Sequence, residues 1–125
     1  MAAALLDTNI VIDLLNGYPP AIQWLLSQND LALTRSVWLE VIEGVENTIE
    51  MQQTTVFLDR FGLVELTVSD FDWATQQLIK YRLSHNVDAF DCLIAAPSYR
   101  LGLPLYTRNL KHFAPLLGKL AQERY

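Results

Sequence analysis

Four short apolar runs punctuate this chain: Ala2–Leu6, Leu31–Thr34, Leu63–Val68 and Leu103–Thr107. Each is too short for a helix and suits a buried strand. Helical patterns lie between them. Thr8 or Asn9 can cap a helix over Ile10–Asn16, and Gly17 suits its end. Pro19-Pro20 opens a second helix that offers Ile22, Trp24, Leu25 and Leu26 to a core. Ser36 can cap a third, running to about Val45, with Val37, Val41 and Val45 on one face. A fourth covers Glu50–Phe61 until Gly62 breaks it. Ser69 and Asp72 form a capping-box pattern for a helix reaching about Leu83. His85-Asn86 reads as a turn, and Asp88 can cap the helix that Gly102 and Pro104 end. Pro97 inside that helix predicts a kink or an early stop, because proline removes one backbone donor. Strands alternating with helices predict an α/β layer structure, a central mainly parallel sheet flanked by helices. Ligands of such sheets bind beyond the C-terminal ends of the strands.

With 125 residues, 51% of them hydrophobic and 18% charged, the sequence reads as one globular domain with a single core. No apolar run approaches the ~20 residues of a membrane span, and the N-terminal stretch lacks the basic start of a signal peptide. The single Cys92 cannot form an internal disulfide and fits a cytoplasmic setting. A net charge of -5 argues against broad, sequence-blind adhesion to nucleic acid. The charge is uneven, however: thirteen of fourteen acids fall at or before Asp91, and Arg100, Arg108, Lys111, Lys119 and Arg124 follow. That basic segment either borders an acidic site, where a cation and a phosphate sit together, or is ordinary mixed surface.

Three acids stand where apolar stretches meet start or turn signals. Asp7 ends the first strand, Glu40 lies in SVWLEVIEG, and Asp91 opens DCLIAA. Carboxylates tolerate apolar neighbours poorly unless paired or bound to metal. Each also has a plain structural explanation. Asp7 can cap a helix, Glu40 can join Glu43 and Glu46 in a charged stripe, and Asp91 can favour a helix dipole. Taken together they suit Mg²⁺ or Mn²⁺, which takes oxygen ligands alongside water and phosphate oxygens. Neutral Asn109 offers a further carbonyl oxygen. The scattered His85, His112 and Cys92 have no zinc spacing.

LLDTNIVIDLL resembles the opening strand and DTN motif of PIN-domain nucleases. SVWLEVIEGV resembles their second motif, a Glu four residues before a Gly. DCLIAAPSYRLGLPLYTRNLKHF resembles the third and fourth motifs. The match runs in order over nearly the whole chain, and the length and NLKHF ending are similar to VapC-type toxins of bacterial toxin–antitoxin pairs. The resemblance implies a single PIN-like domain over residues 1–125 and a metal-dependent endoribonuclease. It implies Asp7, Glu40 and Asp91 as metal-binding acids, Asn109 as a fourth catalytic position, and Thr107 beside it as a polar support. It matches neither Glu43 nor Asp88, and Asp88 is better explained as a helix cap. It implies RNA as substrate, a cognate antitoxin that fills an apolar groove and brings a basic residue to the acids, and a homodimer.

Asn9, in the DTN motif, is a supporting residue, and Arg108 and Lys111 are candidates for phosphate contacts. Trp24, Trp38 and Trp73 read as core, although the helix pair holding Trp24 could offer an exposed groove. Two alternatives stand beside the nuclease. One is a catalytically inactive PIN-like module that only binds RNA or a partner. The other is an α/β phosphatase with Asp7 as nucleophile, which Asn9 disfavours, because that chemistry needs an Asp there.

Overall fold

The computed structural model describes all 125 residues. Five strands form one sheet: β1 (Ala4–Leu6), β2 (Leu31–Thr34), β3 (Gly62–Val64), β4 (Leu105–Tyr106) and β5 (Ala121–Gln122). Their order is β3-β2-β1-β4-β5, and every neighbouring pair is parallel. Seven helices connect and cover them: α1 (Thr8–Leu15), α2 (Pro19–Leu25), α3 (Arg35–Glu43), α4 (Thr48–Leu58), α5 (Val68–His85), α6 (Ala89–Leu101) and α7 (Leu110–Leu117). No helix is long and apolar enough to cross a membrane.

The central strands are unbroken apolar runs because helices cover both faces of the sheet. Every residue of β1 and β2 is buried. Ile10, Val11 and Leu14 of α1, Val37 and Val41 of α3, Ile94 and Ala95 of α6, and Phe113 and Leu116 of α7 pack into the same core. Leu5, Leu6 and Leu33 are fully buried, so each contributes about 2 kcal/mol of transfer energy. Trp24, Trp38 and Trp73 are half-buried against this core.

Local differences from the sequence expectation have identifiable causes. β2 runs straight into α3, so Thr34, not Ser36, accepts the capping hydrogen bond from the Val37 N–H. Ser36 lies inside the helix, buried and bonded to the Thr34 hydroxyl. The capping box of α5 is Thr67 with Asp70, two residues earlier than the Ser69–Asp72 pattern. β3 therefore stops at Val64 rather than Val68; it is an edge strand paired only with β2. α6 continues through Pro97 to Leu101 instead of ending early. α4 starts at Thr48, behind an Asn47 cap. α7 and β5 had no sequence signal: α7 contains Pro115, and β5 is two residues long.

Candidate metal centre

The strand order of the sheet changes direction between β1 and β4, which is where parallel α/β sheets open a crevice. Asp7 follows β1 and Thr107 follows β4, so chain-distant residues meet there. Asp7 is the N-cap of α1, ahead of the expected Thr8 or Asn9. Its Oδ1 accepts the Thr8 backbone N–H at 2.7 Å, and its Oδ2 accepts the Thr107 hydroxyl at 2.7 Å. Only 5% of the residue is exposed.

The second acid arrives on α3. The Thr8 hydroxyl donates to Glu40 Oε1 at 2.6 Å, which ties the first turn of α1 to that helix. The third sits in the first turn of α6. Asp88 caps this helix and forms a reciprocal box: the Asp91 N–H donates to Asp88 Oδ1 at 2.8 Å, and the Asp88 N–H donates to Asp91 Oδ2 at 3.0 Å. The same Asp91 Oδ2 lies 3.2 Å from His112 Nδ1. Helix capping and membership of the acidic cluster thus coexist in Asp7 and in Asp91. Glu43 is exposed on α3, where it adds only a like charge to Glu40.

The three acids feel one another. Burial pushes the Asp7 carboxyl up to about 6, against hydrogen bonds from Thr107 and Thr8, and the Asp91 and Glu40 charges push it further. Glu40 is raised mainly by burial, opposed by Thr8, with repulsion from Asp88, Asp91 and Glu43. Asp91 is also raised mainly by burial, opposed by the Asp88 N–H and by His112. The ion pairs of the molecule are Arg35–Glu65, Arg100–Asp70 and Arg108–Asp13, and the His112 ring lies against Asp91. None neutralises Asp7 or Glu40. The acids do not close into a cage, because no three His, Cys, Asp or Glu side chains stand close enough to surround an ion alone. An open, all-oxygen carboxylate set, with Asp7 and Glu40 unpaired, suits a hydrated hard cation, which keeps several waters and needs no full protein cage.

Asn109 caps α7 by position, but its side chain makes no capping bond. Its Nδ2 lies 3.1 Å from His112 Nδ1, and its backbone N–H donates to Thr107 Oγ1 at 2.9 Å. The Asn9 Oδ1 accepts the Arg108 N–H at 3.3 Å. Lys111 is exposed on the first turn of α7, whereas the Arg108 guanidinium is engaged by Asp13. His112 is the residue that sequence reasoning missed. It carries no metal-ligand spacing, and only its place one turn after Asn109 puts it beside Asp91.

The family model of the PIN domain matches residues 4–114. The chain belongs to the PIN domain family. Its fold is similar to that of several solved structures. A toxin–antitoxin complex from Klebsiella pneumoniae aligns at 28% identity over 98% of each chain, with a TM-score of 0.76. DNA-bound VapBC from Salmonella typhimurium aligns at 20% identity over 98% of each chain, with a TM-score of 0.76. VapBC-1 from nontypeable Haemophilus influenzae aligns at 20% identity over 96% of each chain, with a TM-score of 0.77. No curated protein matches this PIN domain. The family membership displaces the phosphatase alternative, and Asn9, where a second Asp would be needed, is instead bound to the Arg108 backbone.

Proposed function

We propose that this PIN domain is a metal-dependent endoribonuclease, a VapC-type toxin held inactive by a cognate antitoxin. One observation carries the reading: Asp7, Glu40 and Asp91 approach from three elements at the switch point of the sheet, with no cation to offset Asp7 or Glu40. These three acids would hold Mg²⁺ or Mn²⁺, with the carbonyl oxygen of Asn109 extending the set. Such an ion supplies Lewis-acid polarisation of the phosphodiester and lowers the pKa of the attacking water. Thr107 and the Thr8 N–H orient Asp7, and the Thr8 hydroxyl orients Glu40. Asp88 and His112 together restrain Asp91.

Neither motif serine is free to act as a nucleophile. Ser36 is bonded to Thr34, and Ser98 donates to the Leu103 carbonyl. Lys111, exposed on the first turn of α7, is the candidate phosphate contact. Single-stranded or looped RNA suits the open site best, since A-form duplex hides its bases from side chains, and such a substrate is consistent with a cytoplasmic protein.

Two partners follow from the same reading. A cleft of about 310 Å³ between α1, α3 and α4, lined by Ile12, Leu15, Val41 and Val45 on one side and by Asn16, Glu50, Gln53 and Thr54 on the other, suits an amphipathic antitoxin segment. Its Ile12 lies one turn from Thr8, so a basic residue on that segment could reach Glu40. The exposed Ile79 and Leu83, four residues apart on α5, suit a homodimer.

The test is cleavage of a short single-stranded RNA with Mg²⁺, Mn²⁺ or EDTA, by the natural sequence and by Asp7→Asn, Glu40→Gln and Asp91→Asn. Metal-dependent cutting, lost in each variant, supports the reading. Binding without cutting would instead favour an inactive binding module, for which the open arrangement of the acids is the motivating observation.

A further inference from the structure

Arg108 is fastened to α1 at two points. Its backbone N–H donates to Asn9 Oδ1, and its Nη1 donates to Asp13 Oδ2 at 2.9 Å. Asn9 and Asp13 are four residues apart, one above the other on the same helix face. The Tyr125 hydroxyl donates to that same Asp13 oxygen at 2.8 Å. The guanidinium also lies over two rings, Tyr18 at 5.2 Å and Tyr125 at 5.7 Å. Tyr125 is itself braced by Trp24, with ring centroids 5.7 Å apart.

This geometry is unlike that of a cation waiting for phosphate beside the acids. Asp13 lies six residues beyond Asp7, about 9 Å along the axis of α1. The guanidinium is therefore carried away from the acidic cluster, and its charge is already matched. What the arrangement does control is the turn that Arg108 occupies. On one side Thr107 donates its hydroxyl to Asp7; on the other the Asn109 N–H donates to the Thr107 Oγ1. A residue pinned between them through both backbone and side chain sets the position of both.

The geometry points to Asp13, Arg108 and Tyr125 as positioning residues, a clamp that holds the Thr107–Asn109 turn against α1 and aims the Thr107 hydroxyl at Asp7. The clamp rests on the nuclease reading for its consequence in catalysis, but its structural content does not need it. Misplacing reacting groups by about 1 Å can cost two orders of magnitude in rate. Exposed ion pairs, by contrast, stabilise little. The clamp therefore matters to rate much more than to folding.

The experiment compares Arg108→Ala, Asp13→Ala, Tyr125→Phe and the Arg108→Ala/Asp13→Ala double variant. Cleavage of single-stranded RNA with Mn²⁺ is measured alongside amide hydrogen exchange of the metal-free, RNA-free protein. In the alanine variants kcat should fall about tenfold while KM stays within about twofold, and the double variant should be no worse than the poorer single. Tyr125→Phe should lose about threefold in kcat, and the Arg108 and Asn109 amides should exchange about tenfold faster in the alanine variants. A raised KM with kcat intact would make Arg108 a phosphate contact and overturn the clamp. Additive losses or unchanged exchange would also overturn it. If Arg108→Ala does not fold, Arg108→Lys and Tyr125→Phe carry the same comparison. If the natural sequence cuts no RNA, the nuclease reading falls, and hydrogen exchange alone decides the clamp.

Discussion

Asp7 is where folding and chemistry compete most directly. It caps α1, lies almost wholly out of water, and has two acidic neighbours. Its carboxyl stands at about 6 when folded, against an ordinary 3.8. A raised acid pKa means that the folded state binds the proton more tightly than the unfolded one. The metal-free protein therefore loses stability as pH climbs from about 4 to about 6, by roughly 3 kcal/mol for a shift of this size. Glu40 and Asp91, also raised, act in the same direction. Asp70 acts oppositely. Burial pushes its carboxyl up, but Arg100 and Thr67 together outweigh that and hold it low, so its contribution is present above the ordinary value and lost only in stronger acid. Thermal unfolding of metal-free protein should therefore show a higher Tm near pH 5 than near pH 7.

At neutral pH Asp7→Asn should abolish cleavage yet melt higher than the natural sequence, since it removes a buried, repelled charge. Added Mg²⁺ should raise the Tm of the natural sequence, by the equivalent of about 1.4 kcal/mol at ten times its Kd. The variant should not respond, and an equal response would remove Asp7 from the ion's ligands. At this scale the sequence was informative about chemistry and less so about caps. Asp7, Glu40 and Asp91 were visible as acids beside apolar runs, and Asp88 was legible as a cap. Thr67 and Thr34 were displaced by Ser69 and Ser36, because several Ser, Thr and Asp residues lie within two positions of each helix start and only the strand geometry chooses among them.

Among the elements, α6 shows how a helix can contain a proline without disturbing its site. Pro97 has no N–H to offer the Leu93 carbonyl, but it lies six residues after Asp91, well past the capping box that fixes the first turn. Pro97→Ala should leave kcat within about twofold of the natural sequence, measured on the same RNA; a large change would mean that the proline shapes the site after all. Thr107→Val keeps the shape but removes the hydroxyl that donates to Asp7 and accepts from Asn109. It should cost about 2 kcal/mol of stability by chemical denaturation, from two lost hydrogen bonds in a buried place, together with most of the activity.

Strands and helices with strong internal patterns were readable. β3 was overextended, because LVELTV alternates well but its second half turns to cap α5. α7 was hidden by Pro115, and β5 by its length. His112 rides on α7, so a reading without that helix also lacks this ring 3.2 Å from Asp91.

For the whole molecule, the parallel sheet and its helical cover follow from the alternation of runs. The convergence of the acids does not. It depends on the order β3-β2-β1-β4-β5, which places β4 beside β1 although about a hundred residues separate them. No local pattern encodes that neighbour, and only the ordered set of motifs hinted at it. The same scale governs assembly. Leu83 is 98% and Ile79 is 79% exposed on α5, a cost that a second copy would relieve. Light scattering at micromolar concentration should report a dimer, and Leu83→Glu should shift it toward monomer. A natural sequence that is already monomeric would remove α5 as a self-association face.

Asp7 can receive its bond from Thr107 only after β4 has slotted in next to β1. A polypeptide emerging from the ribosome would display the first two acids long before that can happen. The surroundings of Asp7 are thus completed late in synthesis, when β4 docks.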